Sequence, residues 1–363
     1  MATLLDTISR RWLSLPACAL LLTACATTPQ APVQNKSEPL SKEPVVTLTA
    51  PPFASPVVEA LRELVTQQDR LDRIAAPLLL NNPDLCKHQA RNLLGFTAKN
   101  KYSYSSEYTD AAQGMFGLGE SLQVIGVLAG SGAASAGVRR GDILLTVEER
   151  PLPQGQNAER ATAAILLPLV GSRASVKLSL QRKGETLNVV VPLTRACAFR
   201  VELGNADNVN TYADGQRVMV THGMIDFVKS DEELAYLIAK EMAHNALSHP
   251  AKQRLTGTVG GIIDNLIHVH PDLSMLIGSG GIKAMPQDLD AAGDRLALYM
   301  LVRAGYNIDS YVAFWQRLAA QYPATVLNGH TAIHPSTAFR VTAMEKAIKE
   351  IRAKQAARKP LLP

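Results

Sequence analysis

Residues 234–249, LAYLIAKEMAHNALSH, decide how the rest of the chain is read. Apolar residues recur there at helical spacing, and Ser230 with Glu233 just upstream makes the capping box that opens a helix. On such a helix Lys240 and His244 stand one turn apart on one face, with Glu241 beside them. The stretch is therefore a capped helix that carries three ionisable groups on or near a single face.

Two imidazoles at that spacing hold a divalent metal, while the intervening glutamate takes a proton from metal-bound water. Here the first imidazole position is held by Lys240, and a protonated ammonium repels a cation instead of ligating it. Working outward, 218–221 reads as a strand before the helix, and DLDAAGDRLALYMLVRAGYN places Asp290 and Asp294 one turn apart on a second helix. HTAIHPSTAFRVTAMEKAIKEI then puts His334 ahead of a third helix.

The order of these segments resembles the metallopeptidase family of HtpX and the CAAX prenyl protease, over roughly residues 55–352. It is most similar to periplasmic lipoprotein members with an inserted PDZ domain. The resemblance implies an α+β fold: a mainly helical, zincin-like metallopeptidase domain with a β-rich insertion. It also implies zinc, bound by His244, with Glu241 as catalytic base, Asp290 in place of a ligating glutamate, Asp294 as the supporting aspartate and His334 near the metal. Lys240 departs from that pattern, and its ammonium is expected to pair with Asp290, Asp294 or Glu241 and to replace the metal as a structural charge. Zinc is then the cofactor if the site functions, and no cofactor is needed if it does not. Among the other histidines, His249 lies five residues beyond His244 and rotates off the shared face, while His268, His270 and His330 receive no role.

Between 111 and 193 the chain changes character, with the β-rich runs LQVIGVL, DILLTV, VKLSLQ and TLNVVVPL separated by glycine and charged turns. AGSGAASAGVRRGD followed by ILLTVEER resembles the PDZ domain of bacterial periplasmic proteases. That resemblance implies peptide binding by strand addition, with Phe116, Gly117, Leu118 and Gly119 as the carboxylate loop and NAERATAAILLPL as the flanking helix. Residues 55–110 and 196–352 are expected to form the peptidase domain, 111–195 the insertion and 353–363 a tail.

At the other end, Arg10 and Arg11 precede a short apolar run and the box Leu22-Thr23-Ala24-Cys25, which resembles a bacterial lipoprotein signal over 1–25. Lipidation at Cys25, a tether over 26–54 and an outer-membrane anchor with a periplasmic body follow from that resemblance. Cys86 and Cys197 then remain in an oxidising compartment, either bridged or as two buried thiols, with the bridge expected. Net charge is +5, but the basic residues are scattered without an aromatic stripe, so nucleic acid is not an expected partner. Peptides or proteins, including misfolded envelope proteins, are. Neither a nucleophile elbow nor a phosphate loop occurs. Two functions survive: a zinc metalloendopeptidase with an impaired site, and a pseudopeptidase that binds substrates without cutting them.

Overall fold

The computed structural model describes residues 55–250, 286–322 and 336–363, which mix helices and strands. Helix α1 (Pro56–Leu80) starts with proline in its first turn and buries Leu71, Ile74, Ala75 and Leu78 along one stripe. That stripe packs into the main core. The core also takes β9 (Arg200–Gly204), β11 (Arg217–Thr221), α6 (Asp231–Ala246), α7 (Gln287–Arg303), α8 (Tyr311–Gln321) and α9 (Ala338–Ala356).

Helix α6 is buried from Leu234 to Asn245, so packing surrounds it and no face is left open to solvent over much of its length. Its start is fixed by Ser230, whose hydroxyl accepts from the Glu233 amide at 3.2 Å, while the Glu233 carboxylate accepts from the Lys229 amide at 2.7 Å. The three acidic residues of its first turn suit the positive end of the helix dipole. Arg317 of α8 clamps Glu233 through two hydrogen bonds of 2.6 and 2.7 Å.

Beside α6 lies a three-stranded sheet in the order β10 (Thr211–Ala213), β11, β9, antiparallel on the first side and parallel on the second. Every residue of β11 is buried. The outer edge of β9 meets the Gln68 side chain of α1, which donates to the Val201 carbonyl at 2.8 Å and accepts from the Leu203 amide at 2.9 Å.

A second core lies within a six-stranded sheet, in the order β2 (Phe96–Lys99), β3 (Gln123–Val127), β4 (Ile143–Val147), β6 (Ser175–Arg182), β7 (Glu185–Pro192), with β5 (Arg150–Pro151) paired to β4. Val124, Leu144, Val147, Val176, Leu178, Leu180 and Val191 fill it. The sheet begins at Phe96, well before the boundary expected at 111, because 96–99 pairs antiparallel with β3. Short strands of this kind lack the length to declare themselves by alternation.

The chain passes from one core to the other through β1 (Ala90–Leu93) and returns through β8 (Thr194–Cys197), and these two strands pair antiparallel. Cys86 and Cys197 are bonded at this junction, with their Cα atoms 5.8 Å apart. Helix α2 (Thr109–Phe116) packs on α1 in a third, smaller cluster. No helix among the described residues is long and apolar enough to cross a membrane. Cys25, His268, His270, His330 and His334 lie outside the described residues.

Candidate active site

Lys240 and His244 project from α6 toward the aspartates of α7, Lys240 to Asp290 and Asp294 and His244 to Asp290, with Glu241 next to them in the chain, all essentially inaccessible to solvent. The Lys240 ammonium lies 2.5 Å from Asp290 Oδ1 and 2.8 Å from Asp294 Oδ1, and donates to the Asp290 carbonyl at 2.7 Å. Three oxygens thus surround the nitrogen. The pairing expected for Lys240 is present with both aspartates.

Arg340, near the start of α9, supplies a second buried cation. Its Nε donates to Asp294 Oδ2 at 2.5 Å and its Nη2 to Asp294 Oδ1 at 3.0 Å, while Nε stands 3.5 Å from Asp290 Oδ2. Tyr311 of α8 donates to Asp294 Oδ1 at 2.9 Å. The Trp315 ring lies 4.3 Å from the Arg340 guanidinium carbon and 5.7 Å from Lys240 Nζ, so its π-face supports both cations.

Burial alone would raise the Asp294 carboxyl, but the charges of Arg340 and Lys240 outweigh it and hold this group below the usual carboxylate range. Burial, aided by Asp294, pushes the Tyr311 phenol well above its ordinary value. Burial works against the Arg340 charge, and Asp294 and Asp290 more than compensate, so that guanidinium stays protonated.

His244 faces Asp290 with Nε2 at 3.4 Å from Oδ1, while its Nδ1 lies 2.8 Å from Nδ1 of His249. The sequence expectation for His249 was wrong. Helix α6 ends at Ala246, Ser248 takes a left-handed φ of 57°, and the turn carries the His249 ring back against His244. An extrapolated helix would have rotated it away. Glu241 accepts from the Thr211 hydroxyl of β10 at 2.7 Å, which ties the expected base to the outer strand of the sheet. Gly293 of α7 lets the His244 ring approach, since a Cβ there would stand 2.9 Å from both Cε1 and Nε2.

A zinc centre of the expected kind does not fit these residues. The position of the first imidazole carries an ammonium already seated on the carboxylate oxygen that would ligate, and the His244 nitrogen faces that same oxygen. Among the described residues no group of three His, Cys, Asp or Glu side chains is arranged to hold a metal ion. Sequence reasoning found Lys240, Glu241, His244, Asp290 and Asp294. It gave no role to Arg340, although the quoted HTAIHPSTAFRVTAMEKAIKEI contains it, nor to Thr211, Tyr311, Trp315 or Gly293.

The residues expected to form the carboxylate loop lie at the end of α2. Phe116 ends α2, Gly117 closes it at a left-handed φ of 66°, and Leu118 is buried in the cluster with Leu61 and Ala112. These residues stop a helix and fill a small core. The two outer strands of the large sheet are β2 and β7, and β2 is entered through Gly95 at φ 88°. It follows β1, whose Asn92 amide donates at 3.4 Å to the Val170 carbonyl of α4 (Ala158–Ser172).

Residues 174–348 match Peptidase family M48, a span that contains Lys240, Glu241, His244, Asp290, Asp294 and Arg340. The beta-barrel assembly-enhancing protease of Yersinia pestis is 27% identical over 139 residues, 34% of this chain and 29% of that protein. The mitochondrial metalloendopeptidase OMA1 of Schizosaccharomyces pombe is 23% identical over 147 residues, 39% of this chain and 44% of that protein. The chain thus spans less than half the length of these curated relatives. Solved structures that it matches include the HtrA3 PDZ domain bound to a phage-derived ligand, at 17% identity and TM-score 0.22, covering 29% of this chain and 88% of that one. The HtrA-type protease AlgW with a decapeptide matches at 21% identity and TM-score 0.21, covering 29% of this chain and 30% of that one. On its peptidase match and both curated relatives, the chain resembles the HtpX-type metallopeptidases of Peptidase family M48.

Proposed function

We propose that this protein is a membrane-tethered, polypeptide-binding relative of zinc endopeptidases in which Lys240 has replaced the metal and hydrolysis is impaired. The observation that carries this reading is the Lys240 ammonium held between the Asp290 and Asp294 carboxylates at 2.5 and 2.8 Å. A protonated amine in that place excludes a divalent cation by repulsion and by occupying its donors. Arg340, Tyr311 and Trp315 complete the support for this charge arrangement. Glu241, the base that the resemblance implies, accepts from the Thr211 hydroxyl.

Polypeptide binding is assigned to the β-rich insertion, taken as a zincin-like body's PDZ module, with the groove between β2 and α4 as its site. The outer position of β2 and its glycine-led entry support this assignment. Cys25 is the proposed lipid anchor, and the bonded pair Cys86–Cys197 suits an oxidising envelope compartment. Exported or misfolded envelope polypeptides are the proposed clients.

Zinc content and casein cleavage, measured side by side in the native protein, Lys240→His and Glu241→Gln, test the reading. We expect less than one tenth of an equivalent of zinc, roughly, and no cleavage in the native protein. Stoichiometric native zinc, or native cleavage abolished by Glu241→Gln, would establish a working peptidase and overturn the proposal.

A further inference from the structure

A cleft of about 1270 Å³ lies between α1 and the outer face of β2 and β3, away from the Lys240 pocket. Small-molecule sites usually measure roughly 300–1,000 Å³, so this one suits an extended chain better than a compact ligand. Leu61, Val65, Met115, Phe116, Ile125 and Phe199 give it a largely apolar wall.

Its charges are arranged unequally. Arg140 pairs with Asp69, Arg200 stands 3.6 Å from Glu202, and the Lys99 ammonium lies over the Tyr104 ring at 5.0 Å. Asp72 is the remaining charged residue of the lining, and among the described residues it has no cation within ion-pair distance. Its Oδ1 accepts from the Gln68 amide at 2.8 Å, and its Oδ2 faces β3 at Gly126, where an added Cβ would stand 3.8 Å away. Gln68 is itself occupied by the edge of β9, so this carboxylate is held in one place. Burial pushes it up to about 6, the mark of a carboxylate short of compensating charge. A fixed, poorly compensated carboxylate on an apolar wall is complementary to a cation with apolar surroundings.

We propose that this cleft binds an apolar polypeptide segment carrying one basic side chain, whose cation seats on Asp72. The proposal rests on the polypeptide-binding reading above, and adds to it a neighbouring subsite that shares β2 and Val170 of α4 with that groove and selects internal sequence by charge.

Synthetic peptides acetylated at the N-terminus and amidated at the C-terminus separate the two subsites, because they lack the free carboxylate that a strand-adding groove captures. Fluorescence anisotropy would compare an apolar ten-residue peptide with a central lysine against the same peptide with norleucine there. The lysine peptide should bind about tenfold more tightly, a preference that disappears in Asp72→Asn and is partly kept in Asp72→Glu. Far-UV circular dichroism confirms that each variant is folded. Equal binding of the two peptides, a preference that survives Asp72→Asn, or no binding of either would overturn the proposal. If a free-carboxylate peptide still binds when capped ones do not, the cleft assignment falls and the polypeptide-binding reading stands. If none binds, both fall.

Discussion

Replacing Lys240 with methionine removes the ammonium while keeping a long unbranched side chain in its place. Three contacts disappear: Asp290 Oδ1 at 2.5 Å, Asp294 Oδ1 at 2.8 Å and the Asp290 carbonyl at 2.7 Å. Asp294 keeps Arg340 at 2.5 and 3.0 Å and Tyr311 at 2.9 Å, so the loss falls chiefly on Asp290, which keeps Arg340 at 3.5 Å and His244 Nε2 at 3.4 Å. Removing one partner of a buried pair strands the other charge, and the destabilisation is typically about 3–5 kcal/mol. Adding Asp290→Asn to Lys240→Met removes the under-compensated carboxylate and should recover more than half of that loss. Urea unfolding at a constant slope reads the differences from the midpoints. A shift below about 1 kcal/mol for Lys240→Met, or no recovery in the double variant, would show that the pair does not hold the pocket together.

Three other outcomes are expected. Gly293→Ala drives a methyl against the His244 ring, now 2.9 Å from the position of that Cβ, and should destabilise by about 1–3 kcal/mol in urea unfolding; a neutral result would mean that the ring can move aside. The Cys86→Ala/Cys197→Ala pair opens a loop with a sequence separation of 111 and should lower stability by up to about 5 kcal/mol, whereas an unchanged melt would show that the strand pair β1–β8 suffices. Asp72→Asn should stabilise the chain at pH 7. Burial raises this carboxyl from 3.8 to about 6, so the folded state binds the proton more tightly and its stability falls as pH rises through about 6. The groups facing it are Gln68 and Asp69 on α1 and Arg140, with Arg200 and Glu202 of β9 across the cleft. The gain is at most roughly 3 kcal/mol at neutral pH and vanishes near pH 4, as thermal melts across that range would reveal. A variant less stable than the parent at pH 7 contradicts it.

Much of this architecture was legible where periodicity and capping chemistry coincide. Helix α6 announces itself through Ser230, Glu233 and the apolar rhythm that follows, and α1 and α7 through stripes of their own. Helix α8 carries the same signal in Tyr311, Phe314, Trp315 and Leu318 but was passed over, since it bears no motif residue. Strands β1, β2 and β10 are three or four residues long, and their pairing is decided by distant partners.

Within the pocket, legibility followed chain distance. Lys240, Glu241 and His244 share one helix, and spacing alone places them together. Arg340 reaches Asp294 across an interval of 46 residues, which no local pattern encodes. His249 was misread because a periodic argument assumes that the helix continues, and one left-handed residue at Ser248 breaks that assumption.

The contact of Gln68 with β9 bears on how the molecule behaves in a crowded compartment. An outer strand is a template on which another chain can pair, and proteins blunt such edges with charges, bulges or covering elements. Here a primary amide imitates a peptide group, donating to Val201 and accepting from Leu203 as the next strand would. The imitation satisfies one peptide unit and offers nothing for a following residue to continue. Gln68 thus acts as a terminator of sheet growth, guarding a chain proposed to handle unfolded polypeptides against being extended by them.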